Sequence, residues 1–306
     1  MRNIFLTIAV SILFFAGGML SFLFLPHRVM AEASPKTGVV SFVYGNRQPV
    51  VQGLKRAWGF SALIQYDDKT ILFNTAGQEK ILKNNFEVLG ISPRSLDAVV
   101  ISHHHWEMIN GLGFIMEENP EIPVYTTETV IKNLLRENPQ WASNFHQVDT
   151  FEEYTPNILF QNLKSSRRHG GPRGIYEVHV ILKTDKGLVI FLGCGHPQIL
   201  RIVQASKALA DADQVHLIAG GTRLLRPNNH IIIEDSGEDF SIRQKNYYTD
   251  EYYAKLMADL KQEGVEYVMP THCTLEPAEE FFRQAFGDRY INHTLGMRLE
   301  FPLVRQ

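Results

Sequence analysis

Leu96-Asp-Ala-Val-Val-Ile-Ser-His103-His-His105-Trp-Glu107-Met108-Ile-Asn-Gly-Leu112 is an apolar run that empties into three consecutive histidines. Its first part, Leu96–Ser102, reads as a buried strand. On an extended chain, residues two apart point the same way, so His103 and His105 can grip one ion while His104 points elsewhere. The pattern recurs twice: Leu188–Leu192 runs into Gly193-Cys194-Gly195-His196, and Val265–Met269 ends at Pro270-Thr271-His272-Cys273. Strand ends are where an α/β scaffold delivers rigidly held side chains to a shared crevice. Imidazole is the usual neutral ligand for zinc and related divalent ions, and three of them plus a water make the open, catalytic form of such a site. A water bound there has its pKa lowered to about 7. One H-x-H is weak by itself; the argument rests on its return at separate strand ends. His169, His179, His216, His230 and His293 read as surface or packing residues.

Working outward, Gly38–Asn46 reads as a strand, and Ser61–Tyr66 with Thr70–Asn74 as a hairpin through Asp67-Asp68-Lys69. Gln78–Leu89 is helical in pattern and stops near Gly90. The second half repeats the scheme: strands Glu177–Lys183 and Leu188–Leu192, helix Ile199–Ala210, strand Gln214–Ala219, helix Asp250–Glu263, strand Val265–Met269 and helix Pro277–Phe286. Hairpins interleaved with strand–helix pairs imply mixed sheets covered by helices, here two packed sheets with helices outside both faces. Pro139–Gly174 and Arg226–Asn246 have weaker periodicity and are candidates for loops over a site. No linker interrupts the chain from residue 37 onward, so 37–306 reads as one domain.

Composition narrows the function classes. Lys and Arg total 30 against 33 Asp and Glu, a net charge of −3 that gives no basic excess for nucleic-acid binding. An apolar share of 44% excludes a disordered chain. Two cysteines, Cys194 and Cys273, are too few for a disulfide framework; each sits close to a candidate ligand histidine. Residues 1–33 read as a segment apart. Ile4–Leu25 is an uncharged run of 22 residues, long enough to span a bilayer, and Ala31-Glu32-Ala33 follows as a cleavage-type site. Both features predict export, to the periplasm or the outside, as a cleaved signal peptide or as a membrane anchor through residues 4–25.

Five stretches fall in order: Trp58-Gly-Phe-Ser-Ala-Leu-Ile64, Ile71-Leu-Phe-Asn-Thr75, Ile101 to Leu112, Gly193-Cys-Gly-His-Pro197 and Pro270-Thr-His-Cys-Thr274. As a set they resemble the metallo-β-lactamase-fold hydrolases, in the branch related to the 7,8-dihydropterin-6-methyl-4-(β-D-ribofuranosyl)-aminobenzene-5'-phosphate synthases, over roughly residues 38–300. The resemblance implies an α/β fold, the αββα four-layer sandwich, with a metal site at the edge between the sheets. It also implies hydrolase chemistry. The departures are specific. The family's H-x-H-x-D-H becomes His103-His-His105-Trp-Glu107-Met108, so the aspartate is one methylene longer and the last histidine is a thioether, a poor ligand for a hard ion. Asn74 and Ala76 stand in the family's D-T-G, and Arg223 takes a histidine's place in Gly220-Gly-Thr-Arg-Leu224. Met108 alternatively reads as a core residue in the first turn of a helix.

On this reading the first metal site, His103, His105 and His196, is intact, while the second retains only Glu107 and His272. Two functions stay open. One is an exported hydrolase with one or two divalent ions, zinc first, with manganese or iron as alternatives. It would act on an ester, lactone, amide or phosphoester in a small, anionic substrate. Glu107 would orient water or act as base, and Arg223 would pair with the anion. The other is a non-catalytic binding or regulatory module with an eroded metal site.

Overall fold

In this computed structural model, residues 37–166, 173–224, 232–235, 240–243 and 248–303 are described. The segment Ile4–Leu25, the Ala31-Glu32-Ala33 site, His169 and His230 lie outside them. No helix among the described residues is long and apolar enough to cross a membrane.

β1 (Gly38–Tyr44) pairs antiparallel with β2 (Ser61–Tyr66), which turns into β3 (Lys69–Phe73). Asp67 and Asp68 at the turn both have positive φ, 55° and 58°, the conformation of a two-residue turn whose twist matches the hairpin. Parallel to β3 run β4 (Ala98–Val100), β5 (Val124–Thr126) and β6 (Phe145–Gln147). The second sheet takes β7 (Phe151–Thr155), β8 (Ile158–Lys164), β9 (Tyr176–Thr184), β10 (Gly187–Leu192) and β11 (Val215–Gly220). A separate antiparallel pair, β12 (Ile232–Asp235) and β13 (Phe240–Arg243), precedes β14 (Val265–Pro270) and β15 (Arg298–Phe301). The sheets have the orders β15-β1-β2-β3-β4-β5-β6 and β14-β11-β10-β9-β8-β7.

Period-two alternation assigns each strand face to a layer. Val178, Val180 and Leu182 of β9 meet Phe42, Ile64 and Phe73 between the sheets. Ile181 instead joins Ile190, Ile202, Tyr253 and Phe282 under the helices Ile199–Ala210, Asp250–Gln262 and Ala278–Phe286. On the opposite outer face Leu72 and Val99 pack with Leu82, Phe86, Ile115 and Val130 from the helices Glu79–Leu89, Leu112–Glu118 and Glu128–Glu137. This is the αββα sandwich expected from the sequence.

Two expectations are corrected. The Leu96–Ser102 strand contributes only Ala98–Val100 to the ladder, because the Ser102 N–H leaves it to donate to the Asn74 side-chain oxygen at 2.8 Å. The segment Pro139–Gly174, read as loop, contains β6, β7 and β8. β7 is an edge strand with an exposed face, and β8 is buried on both faces over its first four residues, so neither displays clean alternation. In Arg226–Asn246, β12 and β13 are strands, and the other positions lie outside the described residues.

Candidate metal centre

The chain delivers its histidines from the C-terminal ends of strands in both sheets. β4 leads to His103 and His105, β10 to His196, and β14 to His272, while β11 leads to Arg223. Ser102 ties the first of these ends across the sandwich: its carbonyl accepts from Val178 N–H at 2.8 Å. Its Oγ lies 2.9 Å from His103 Nδ1, which fixes the ring and leaves Nε2 turned toward the cluster.

The rings of His103, His105 and His196 stand 4.6 to 4.9 Å apart, centre to centre, and at 70° to 75° to one another. His103 Nε2 and His105 Nδ1 face each other at 3.0 Å. Two nitrogens on one tetrahedral zinc lie about 3.3 Å apart, given bonds of about 2.05 Å, so the donor set fits such an ion. Burial holds His103 well below its usual pKa and takes His105 down to about 3; both rings are neutral, the form that ligates. Cys194 joins them, with one donor atom on each of the four residues, all within 4.8 Å of one another. His104 is half-buried beside the cluster.

The sequence reading passed over Glu177. This first buried residue of β9 is wholly enclosed and accepts three backbone N–H bonds, from Cys194 (3.0 Å), Gly195 (2.9 Å) and His196 (2.9 Å). Burial pushes its carboxyl up to about 7, against the pull of those donors. Next to it His179, also fully buried, sits 3.6 Å away with its pKa driven down to about 3 by burial. A carboxylate opening an apolar strand, opposite a Gly-Cys-Gly-His run whose N–H groups need acceptors, was the available signal.

The structure separates His272 from the three-histidine cluster. Its Nε2 lies 3.3 Å from Cys194 Sγ, and Cys194, His272 and Cys273 form a second group with donors within 4.8 Å. Both cysteines are free and buried. Against burial, which pushes it up, the bond to Cys194 and the charges of His272 and Arg223 hold the Cys273 thiol well below its usual range, whereas burial raises Cys194.

Glu107 is 7% exposed, with Oε1 3.7 Å from His105 Nδ1, and burial raises its pKa. Arg223, half-buried at φ 39°, acts electrostatically on His103, His105, Glu107 and Cys273. Met108 is fully buried in the inter-sheet core, as its helix-turn reading anticipated. Of the remaining histidines, His216 is bonded to Glu266 at 3.0 Å, and His293 packs edge-on against Phe42. A cleft of about 670 Å³ opens beside His104 and His105, lined further by Thr129, Asn133, Arg136, Arg173 and Tyr176.

No family model matches the sequence. The chain is 24% identical, over 284 aligned residues, to the 7,8-dihydropterin-6-methyl-4-(β-D-ribofuranosyl)-aminobenzene-5'-phosphate synthase of Methanocaldococcus jannaschii, covering 79% of this chain and 90% of that protein. Among solved structures it superposes on a metal-dependent hydrolase of the β-lactamase superfamily with TM-score 0.65 and 19% identity, over 86% of this chain and 98% of the other. A diphosphatase from the PhnP family gives TM-score 0.52 and 15% identity over 87% and 97% of the respective chains.

Proposed function

We propose that this metallo-β-lactamase-fold chain is a metal-dependent hydrolase acting on a small anionic substrate, a phosphoester before an ester, lactone or amide. The observation that carries the reading is the trio of imidazoles His103, His105 and His196, converging from two strand ends beside a cleft that holds two arginines. A divalent ion held by these residues supplies a positive charge and acidifies water. The protein's own groups do the rest. Ser102 orients His103, and Glu177 fixes the backbone that carries His196. Glu107, with its pKa raised by burial, is placed to take up a proton beside His105. Arg136 and Arg173 in the cleft orient the anion, and Arg223, whose charge acts on His105 and Glu107, adds to the positive field. The names of two similar proteins, a 5'-phosphate synthase and a diphosphatase, support the phosphate arm.

The test is a panel of p-nitrophenyl phosphate mono- and diesters, carboxylic esters, a lactone and an anilide, assayed with zinc, manganese or iron. His105→Ala should abolish turnover together with the binding of the ion held by the three histidines. Turnover that survives this change overturns the metal mechanism, and a metal-loaded chain inert toward the whole panel favours the binding-module alternative. Arg136→Ala and Arg173→Ala should raise KM for anionic substrates and spare kcat. The residue 4–25 segment supports export of this hydrolase; fractionation of cells expressing the full chain, with the domain found in the cytoplasm, would remove that part of the proposal.

A further inference from the structure

The chain has two cysteines in 306 residues, and both end at one imidazole. Cys194 leaves β10 and Cys273 leaves β14, yet with His272 their donor atoms lie within 4.8 Å of one another, each residue no more than 1% exposed. Buried cysteines often serve as plain packing, and packing alone would surround them with carbon. Both cysteines do join the inter-sheet core, but Cys194 Sγ also faces the ring nitrogen of His272 at 3.3 Å.

That ring is held in place. It stacks on Phe60 with centres 5.7 Å apart and planes at 15°, and meets Trp58 edge-on at 5.7 Å. Thr271 Oγ1 lies 3.3 Å from its Nδ1, the kind of partner that orients a ligating histidine and selects the other nitrogen for the ion. The backbone is drawn in equally closely. A Cβ on Gly221 would stand 2.4 Å from Cys273 Sγ and 2.9 Å from the His272 ring, so only glycine leaves the group its room.

We propose that Cys194, His272 and Cys273 form a second, sulfur-rich metal site next to the three-histidine cluster, suited to a borderline-soft ion such as zinc. Thiolate and imidazole select zinc over magnesium, calcium or manganese. The second site of this chain is thus rebuilt around sulfur where the sequence reading left it to Glu107 and His272. The inference concerns metal binding and stands whether or not the hydrolase reading does.

Cobalt(II) is the probe, because its bonds to thiolate give an intense near-ultraviolet charge-transfer band that imidazole bonds do not. The metal-free full chain is titrated under reducing, anaerobic conditions. The expected result is two equivalents bound, one of them bringing the band. His105→Ala should lose one equivalent and keep the band; Cys273→Ser and His272→Ala should each lose the other equivalent and most of the band. Binding without any charge-transfer band in the native chain overturns the proposal with no variant needed. A band that survives His272→Ala unchanged also overturns it, since Cys194 would then be reporting on an ion at the three histidines. Circular dichroism of each variant separates loss of the site from loss of the fold.

Discussion

Gly221→Ala adds one methyl group where three partners converge. Its Cβ would lie 2.4 Å from Cys273 Sγ, 2.6 Å from the Gly193 carbonyl oxygen and 2.9 Å from His272 Cε1. Ordinary contact begins at 3.4 Å, so the sulfur would have to retreat by 3.4 − 2.4 = 1.0 Å. The carbonyl cannot give way freely, because it accepts the Gly221 N–H at 3.1 Å. Overpacking of this kind costs about 1–3 kcal/mol, or a fall in Tm of about 2–12 °C for a chain of this size. Ligands need placement within about 0.5 Å, so the metal bound by Cys194, His272 and Cys273 should weaken or be lost as well. The control is Gly90→Ala. Its Cβ meets nothing within 4 Å, and only its φ of 64° is unfavourable, at about 1–2 kcal/mol. Both variants should therefore unfold earlier in urea, and only Gly221→Ala should lose cobalt. If Gly221→Ala matches the native chain in unfolding midpoint and metal uptake, the close approach of the β11 end to this group is wrong.

Other substitutions probe the supports of the site. Glu177→Gln leaves every imidazole in place but sets an amide against three N–H donors, so zinc affinity measured by chelator competition should drop about 10–100-fold. The Glu177 carboxyl titrates near 7 in the fold and near 4.5 unfolded. It therefore lowers the stability of the metal-free native chain by at most about 1.4 kcal/mol per pH unit between those values, a decline the Gln variant should lack. For His179 the sign is opposite. With a folded pKa of about 3 against 6.5 unfolded, its contribution is intact above pH 6.5 and falls by about 1.4 kcal/mol per unit as pH drops below it; urea unfolding of His179→Leu at pH 7 and 5 should show a flatter acid limb. Met108→Ala should cost about 2–5 kcal/mol as a core cavity with metal stoichiometry unchanged, and a change in stoichiometry would return Met108 to the site.

What could be read from the sequence depended on the range of the interaction. Local signals held: the hairpin turn, read as Asp67-Asp68-Lys69 and shortened to Asp67–Asp68 because Lys69 opens β3, the stop at Gly90 and the Ile199–Ala210 helix follow from backbone preference and apolar spacing. The three histidines were visible because each is announced by an apolar strand. The role of Glu177 was hidden because its partners are backbone N–H groups 17 to 19 residues away, so the carboxylate that opens this apolar strand gains its meaning only once the Gly-Cys-Gly-His run is known to lie against it. Cys194 and Cys273 looked like neighbours of their adjacent histidines. The pairing of Cys194 with His272, 78 residues on, exists only because β10, β11 and β14 lie side by side.

The departures from the family pattern take on a different weight once their partners are known. Asn74 looks like erosion in sequence, yet its Oδ1 accepts the Ser102 N–H at 2.8 Å, its own N–H donates to Val100 O at 2.8 Å, and its carbonyl accepts the Ser61 hydroxyl at 2.8 Å. It also holds φ at 62°, a left-handed conformation that asparagine tolerates better than most side chains. An aspartate would accept the Ser102 bond equally well, so the exchange preserves the turn that launches His103; it removes a charge and puts a buried NH2 without a partner where an acceptor oxygen would be. Met108 sits in carbon. The supports of the three-histidine cluster, Asn74 through Ser102 and Glu177 through the Gly193–His196 loop, are thus present in full. Met108 and Arg223 stand where the resembled pattern has imidazole donors, and the site proposed on Cys194, His272 and Cys273 would supply sulfur instead. Glu177, buried and accepting the N–H groups of Cys194, Gly195 and His196, holds the backbone that carries His196.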